Sequence, residues 1–317
     1  MVSETKLICK VKKEFSGCKL SYWFKKNYPN SSYILFCKLV RKGIIKKNGL
    51  RSEIFDTLSE NDEIKIPRSL QVVNIEKKYK PCPDELVKKF KSWIIYEDEN
   101  LIILNKPNGI AVQGGSKINF SIDLIIKNME KDSKNRSKLV HRIDKDTSGI
   151  LIISKNLEFA KYICKLFKER LVNKYYIVLC IGNTKLDNSF ISNDIYQDGK
   201  LYSAHTNFIT LDSNKKFSLL LVNPLSGRKH QIRKHLFSIK LPILGDRKFF
   251  YKSHLYLNKQ YNLCLHSYYI SFLNNDKKRF CYTANLPDSF NKNCKKLGLI
   301  FDKNKINKII TLNESKI

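Results

Sequence analysis

Short apolar runs dominate the chain after residue 90: SWIIYEDENLIILN, SGILIIS, KYYIVLCIG, FSLLLVNP and LCLHSYYISF. Runs of that length, bounded by glycine, proline or polar residues, predict strands. The first breaks at Glu97-Asp98-Glu99-Asn100, so its two halves make a hairpin. Helical patterns intervene irregularly. One covers about residues 121–130; another covers about 157–171, where Leu157, Ala160, Ile163, Cys164, Phe167 and Leu171 form one apolar stripe. HQIRKHLFS supplies a third. Strands that dominate, interrupted by helices at no fixed interval, predict an α+β fold with a mixed, mostly antiparallel sheet rather than a doubly wound one.

Ahead of this lies a smaller α+β module. KLICKV predicts a strand, and LSYWFKKNYP a helix on Leu20, Trp23 and Phe24 that stops at Pro29. Ser31 or Ser32 caps a second helix running to Gly43; a strand from Ile44-Ile45 then turns at Asn48-Gly49, and a last strand ends near Pro67. The domain plan is 1–70 for this module, 71–90 for a charged linker with Pro81 and Pro83, 91–295 for the main domain, and 296–317 for a basic, Lys/Asn-rich tail. Lys38, Arg41, Lys42, Lys46 and Lys47 crowd one helix end and hairpin of the module. They form either a solvated face or a set of phosphate contacts.

With 59 Lys+Arg against 29 Asp+Glu, the formal charge is +30, which points to a polyanionic partner. Part of the excess belongs to a chain rich in Lys, Asn and Ile throughout, and a basic membrane-surface protein is the lesser reading. The nine cysteines include no C-x-x-C pair and no metal-type spacing. Most sit in apolar runs such as LICKV, ILFCKL and YICKLF, as small buried hydrophobes in a reducing cytoplasm. The N-terminus has no apolar h-region, and no run approaches the length of a membrane span. AVQGGS leads into no phosphate-binding glycine pattern, so neither a nucleotide cofactor nor a metal is expected.

The chemistry concentrates in HRIDKDTSG, His141 to Gly149. If 139–144 is extended, Arg142 and Asp144 share one face while Leu139, His141 and Ile143 take the other. Asp146, Thr147 and Ser148 bond the local backbone, and Gly149 turns the chain, so the loop can hold Asp144 in place. A kinase loop is excluded, because Ile143 interrupts His-Arg-Asp and no Asp-Phe-Gly follows. A glycosidase pair is excluded too, since Asp146 lies too near along the same tight loop to flank a bond. In Lys174-Tyr175-Tyr176, alternation puts Lys174 and Tyr176 on one face. GRKHQIR, from Gly227 to Arg233, is a basic cluster entering a helix. From these residues alone, Asp144 is either a catalyst or one charge in an ordinary turn.

Together, HRIDKDTSG, K-x-Y and GRKHQIR resemble in order and spacing the RluA-type pseudouridine synthases. The resemblance runs from about Trp93 to Phe290 and includes NKPNGIAVQGGS, LPILGD, LHS and NLPDSF. The N-terminal module resembles an S4-type RNA-binding domain in its R-K-G-x-I-x-x-N-G run, while the usual Arg-Leu-Asp reads Lys19-Leu20-Ser21. That pairing of domains is most like the C-type branch acting on bacterial large-subunit ribosomal RNA. Lys229 stands where the family has Thr or Ser, and Leu241 where it has His.

The resemblance implies Asp144 as catalytic nucleophile or base, Arg233 as its ion-pair partner, Tyr176 as the ring stacked on the target base and Arg142 as the wedge replacing a flipped nucleotide. Lys174 and Arg228 are the remaining substrate-binding candidates. A guanidinium at about 4 Å favours the Asp144 anion by roughly 4 kcal/mol at an effective dielectric near 20. The expected protein is a cytoplasmic monomer without cofactor whose partner is ribosomal RNA. A noncatalytic RNA-binding ribosome-assembly protein shares the basic features, and a synthase of the same family acting on other ribosomal or transfer RNA uridines shares the motifs.

Overall fold

The computed structural model describes residues 6–29, 31–71, 82–115, 118–130, 137–184, 186, 189–197, 199–274 and 278–315. It comprises two units, Met1–Lys80 and Pro81–Ile317. In the first, β1 (Lys6–Lys10), α1 (Leu20–Asn27), α2 (Tyr33–Arg41), β2 (Lys46–Lys47), β3 (Leu50–Arg51) and β4 (Glu63–Pro67) build an antiparallel sheet ordered β1-β4-β2-β3 under two helices. Leu20, Trp23 and Phe24 pack with Phe36, Val40, Ile64 and Ile66. Ser32 caps α2, its hydroxyl accepting the Leu35 N–H at 3.1 Å. Asn48 and Gly49 take φ of 49° and 79°, the paired positive angles that a two-residue hairpin turn demands.

The second unit runs α3 (Asp84–Ser92), β5 (Ile94–Glu97), β6 (Leu101–Lys106), α4 (Ile122–Met129), β7 (Lys138–Leu139), β8 (Ser148–Ser154), α5 (Leu157–Glu169) and β9 (Asn173–Ile181). It continues through β10 (Ser189–Ser192), β11 (Ile195–Gln197), β12 (Lys200–Tyr202), β13 (His205–Ser213), β14 (Phe217–Pro224), α6 (Gln231–Ser238), α7 (Leu255–Gln260), β15 (Leu265–Leu273), β16 (Arg279–Thr283), α8 (Asp288–Lys296) and α9 (Lys303–Glu314). The main sheet is ordered β10-β13-β14-β9-β15-β8-β6-β5, with β16 also on β15 and β7 also on β8. Its pairings are antiparallel except β15 with β8, so the sheet is mixed and mostly antiparallel.

All seven residues of β8 are buried. Ile150 and Ile152 pack with Ile163 and Leu166 of α5; Leu151 and Ile153 pack with Ile122 and Ile125 of α4 and with Phe90 of α3. A strand covered on both faces reads as a continuous apolar run, which is why GILII shows no alternation. At its head Gly149 has φ 103°, and a Cβ there would stand 2.2 Å from the Ser267 carbonyl oxygen. Only glycine lets β8 and β15 approach so closely. The third core lies around β9, β14 and β15, covered by α6, α8 and α9.

Several expectations need correction. The linker 71–90 falls partly on residues 72–81, outside the described residues, but its remainder enters α3, whose Phe90 is buried. Within the basic tail 296–317, the described residues up to 315 include α9, which packs on the main domain: Asp302 caps it by accepting from Asn304 and Lys305, and Ile306 and Ile310 bury one turn apart. One apolar stripe among lysines and asparagines suffices, because α9 packs a narrow face. Residues 140–147 form a loop, and the extended segment before it stops at Leu139. In α5 the buried stripe is Ala160, Ile163 and Leu166, while Leu157, Cys164 and Leu171 are exposed. The chain leaves the helix at Arg170, φ 61°, before Leu171 can join that face. The buried thiols are Cys180, Cys264 and Cys294, carried on or beside the main core, rather than those of LICKV, ILFCKL and YICKLF.

Candidate active site

The loop from β7 to β8 is anchored at both ends. Ile143 is buried, and the Thr147 N–H donates to the Asp144 carbonyl at 3.1 Å. His141 accepts the Ile152 N–H through Nε2 at 2.8 Å and stacks on Phe167 at 4.7 Å. Burial, helped by Lys174, holds its imidazole down to about 3, so it serves as a neutral spacer. On the other flank Lys106 is fully buried and donates to the carbonyls of Pro107, Ile110 and Lys145 at 2.8, 2.9 and 3.0 Å. Its ammonium ties the KPNG turn to the residue after Asp144. Burial draws that ammonium down to about 7, against the pull of Asp146 and Asp144.

The partners of Asp144 arrive from the start of α6. His230 occupies the N-cap at φ 57° and donates through Nδ1 to Asp144 Oδ2 at 2.8 Å; Arg233 Nη1 donates to the same oxygen at 3.2 Å. Among the described residues, Oδ1 has no hydrogen-bond partner. Arg233 is itself anchored: Nε and Nη2 reach the two oxygens of Asp246 at 2.7 and 2.8 Å. Asp246 is wholly buried and also accepts the N–H groups of Lys248 and Phe249. Gln231 fixes the loop before the helix, accepting from Ser226 and Arg228 and donating to His205 and Thr206. Burial opposes ionisation of Asp144, yet His230 and Arg233 hold its carboxyl below the usual carboxylate range. The carboxylate is therefore anionic at neutral pH.

Asp144, Arg142, Lys174, Tyr176, Arg228 and Arg233 all line one cavity of about 510 Å³. Every site residue expected from the second unit is thus brought together. Arg142 donates to Gln113 at 3.2 Å; Lys174 sits 5.9 Å over the Phe167 ring, and burial lowers its ammonium to about 8. Burial pushes the Tyr176 phenol up to about 12, with a bond to Ser267 opposing and Asp144 reinforcing, so it is an uncharged ring at neutral pH. The LHS run braces β8 where the loop rejoins it. His266 donates from Nε2 to the Ala284 carbonyl at 3.1 Å and accepts from Ser148 at 2.9 Å.

Sequence reasoning missed His230, Asp246 and Lys106 as individual site residues. Each stands inside a distinctive run, GRKHQIR, LPILGD or NKPNG, and an ionisable residue within such a run was the available signal. In the first unit, Lys38, Arg41, Lys42 and Lys46 form no ion pair among the described residues. Lys47 differs, because its ammonium is held by Asp62 at 3.0 Å and the Thr57 carbonyl at 2.7 Å.

Comparison with known proteins bears directly on this arrangement. The family model for RNA pseudouridylate synthase matches residues 100–238, which include Asp144, Tyr176 and Arg233. The ribosomal large subunit pseudouridine synthase C of Rickettsia prowazekii (strain Madrid E) is 33% identical over 274 residues, 80% of this chain and 89% of that protein. The chain belongs to the RNA pseudouridylate synthase family. The synthase of the same name from Vibrio vulnificus (strain CMCP6) is 30% identical over 76% of this chain and 81% of its own. Among solved structures, human RNA pseudouridylate synthase domain containing 4 superposes with a TM-score of 0.59 at 23% identity, covering 69% of this chain and 98% of that one. That likeness establishes a shared fold. The protein is an RNA pseudouridine synthase, and no helix among its described residues is long and apolar enough to cross a membrane.

Proposed function

We propose that this synthase isomerises uridines of bacterial large-subunit ribosomal RNA, with Asp144 as its catalytic carboxylate. One observation carries the assignment: His230 and Arg233 both bind Oδ2, while Oδ1 of the same ionised group is left to a cavity lined by Tyr176 and Arg142. The reaction breaks the C1′–N1 bond, turns the uracil and joins C5 to the same sugar carbon. It needs no redox step and no energy source, so it requires no cofactor. An anion with one clamped oxygen and one open oxygen suits either attack on the nucleoside or removal of a proton from it.

The uridine must leave its stack to reach the cavity. Flipping costs a few kcal/mol, and stacking on the Tyr176 ring returns about 1–3 kcal/mol. Arg142, on the same cavity wall, fills the gap left in the RNA, while Lys174 and Arg228 neutralise phosphates. The choice of large-subunit RNA is supported by the relatives, which are named as ribosomal large subunit synthases, and a cytoplasmic site of action follows from this proposal. The S4-like reading of residues 1–70 is supported by the two-helix and hairpin arrangement and by Lys38, Arg41, Lys42 and Lys46, which add sequence-independent affinity.

The reading is tested by release of tritium from uracil C5 in labelled large-subunit RNA. Wild type should release it, and Asp144→Asn should release none while binding the RNA within about 2-fold of wild type. Turnover by Asp144→Asn at the wild-type rate sinks the assignment. A wild type that binds RNA but releases no tritium favours a noncatalytic assembly factor.

A further inference from the structure

Beside the cavity, β11 and β12 form a two-stranded hairpin joined to no other strand among the described residues. Its faces differ sharply. On one, Ile195 pairs across with Tyr202; Ile195 is 3% exposed, and Tyr202 carries the Arg228 guanidinium 4.9 Å over its ring. On the other, Tyr196 pairs with Leu201, and each is 66% exposed. The hairpin is fastened to the α6 region: Lys234 donates to the Tyr196 carbonyl at 3.0 Å, and the Lys229 N–H donates to Gln197 at 3.2 Å. The short segment that carries His230 and Arg233 therefore also holds an open aromatic face in fixed orientation.

Among the described residues, the cations around it have no ion-pair partner. Lys229, Lys234 and Lys248 form no ion pair among the described residues, and Asp194, exposed at the hairpin's base, forms none either. Burial and then the charges of Lys248 and Lys229 pull the Lys234 ammonium below its ordinary value, so the three lysines lie near enough to repel one another. A protein partner would find its apolar contact ringed by charges that interface cores exclude, whereas a nucleic-acid strand supplies both flat bases and phosphates.

We propose that the Tyr196–Leu201 face is a docking platform for single-stranded RNA, on which bases neighbouring the target uridine stack while Lys229, Lys234 and Lys248 hold their phosphates. The proposal rests on the uridine occupying the Asp144 cavity, to which Arg228 links the hairpin by lining the one and stacking on the other. Nucleotides beside a flipped base lose stacking partners of their own, and an exposed ring restores one.

The experiment measures affinity of the full-length protein for a large-subunit RNA fragment across a salt series, with pseudouridine formation followed in parallel. Tyr196→Ala should weaken binding about 10-fold, within the range a lost base–aromatic stack produces. It should raise KM with kcat retained, leave the melting temperature unchanged, and Tyr196→Phe should restore wild-type affinity. The Lys229→Ala/Lys248→Ala double variant should lower the slope of log affinity against log salt by roughly 1.4. Wild-type RNA affinity in Tyr196→Ala overturns the platform, as does a requirement for Tyr196 only when ribosomal proteins accompany the RNA. Affinity is read without turnover, so an inactive wild type would sink the synthase assignment while the binding arm still decided the hairpin.

Discussion

Arg233 gives two of its three nitrogens to Asp246 and only the third to Asp144. The stronger, two-point pairing is thus spent on a wholly buried anchor, and the catalytic candidate receives a single longer contact. That division keeps the guanidinium fixed without tying up both oxygens of Asp144.

Asp246→Asn keeps the acceptor oxygen but removes the charge that orients Arg233. Breaking a buried pair by removing one partner costs about 3–5 kcal/mol, and because Arg233 retains Asp144 the loss should fall at or below the lower end. Catalysis should suffer more than binding, since small misplacements of a positioned group cost up to about 10²-fold. Thermal melts and single-turnover rates check this: kcat should fall at least ~10-fold with RNA affinity within ~2-fold. An unchanged kcat would remove Asp246 from the positioning role.

Asp144 also predicts a sign for the effect of acid. Its folded value lies below that of the unfolded chain, because the bonds from His230 and Arg233 outweigh burial. Its stabilising contribution is therefore fully present above the unfolded carboxylate range and is lost as pH falls through the folded value. Wild type should be more stable than Asp144→Asn at pH 7, and the gap should close on acidification below about pH 4, the unperturbed Asp range. Paired melting curves from neutral pH down through that range measure it; a gap that widens toward low pH contradicts the ion-pair account.

Tyr176 separates ring from hydroxyl. With the phenol pushed up to about 12, the side chain is neutral throughout the usable pH range and gives the rate no alkaline limb below about pH 10. Tyr176→Phe should preserve RNA affinity within ~2-fold, whereas Tyr176→Ala should lose about 5- to 150-fold, the span of a single base–aromatic stack. Equilibrium binding with each substitution placed in an Asp144→Asn background, which should not turn over, gives the comparison free of turnover, and equal losses in both variants would argue against stacking.

What was legible in the chain follows the physics of each feature. The strand β8 was plain because burial on both faces leaves an unbroken apolar run, and Lys174 and Tyr176 were correctly placed together because strands alternate. The helices α3 and α9 were obscured because each buries so little: Phe90 alone in one, Ile306 and Ile310 in the other, amid lysines. Asp144 and Arg233 came from distinctive runs. Asp246 carries no periodic signal, since its role depends on a turn that brings it under Arg233 from 13 residues away.

Lys106 provides the test of how the loop around Asp144 is held. Its folded value, drawn to about 7 by burial, lies below the roughly 10.4 of an unfolded lysine, so between the two the unfolded chain binds the extra proton. Stability should therefore rise with pH through this window, with a slope of at most about 1.4 kcal/mol per pH unit for one group. Lys106→Met removes that slope. It also leaves the carbonyls of Pro107, Ile110 and Lys145 without their shared donor, at a cost of about 1–3 kcal/mol for each group left unsatisfied. Denaturant titrations at three pH values between about 7 and 9, inside that window, should show wild type gaining on the variant as pH rises. The variant should also lose kcat, because the residue after Asp144 is no longer tethered. Parallel pH profiles for the two proteins would mean that folded Lys106 holds its proton as firmly as an unfolded lysine does, and burial could not then be what governs its charge.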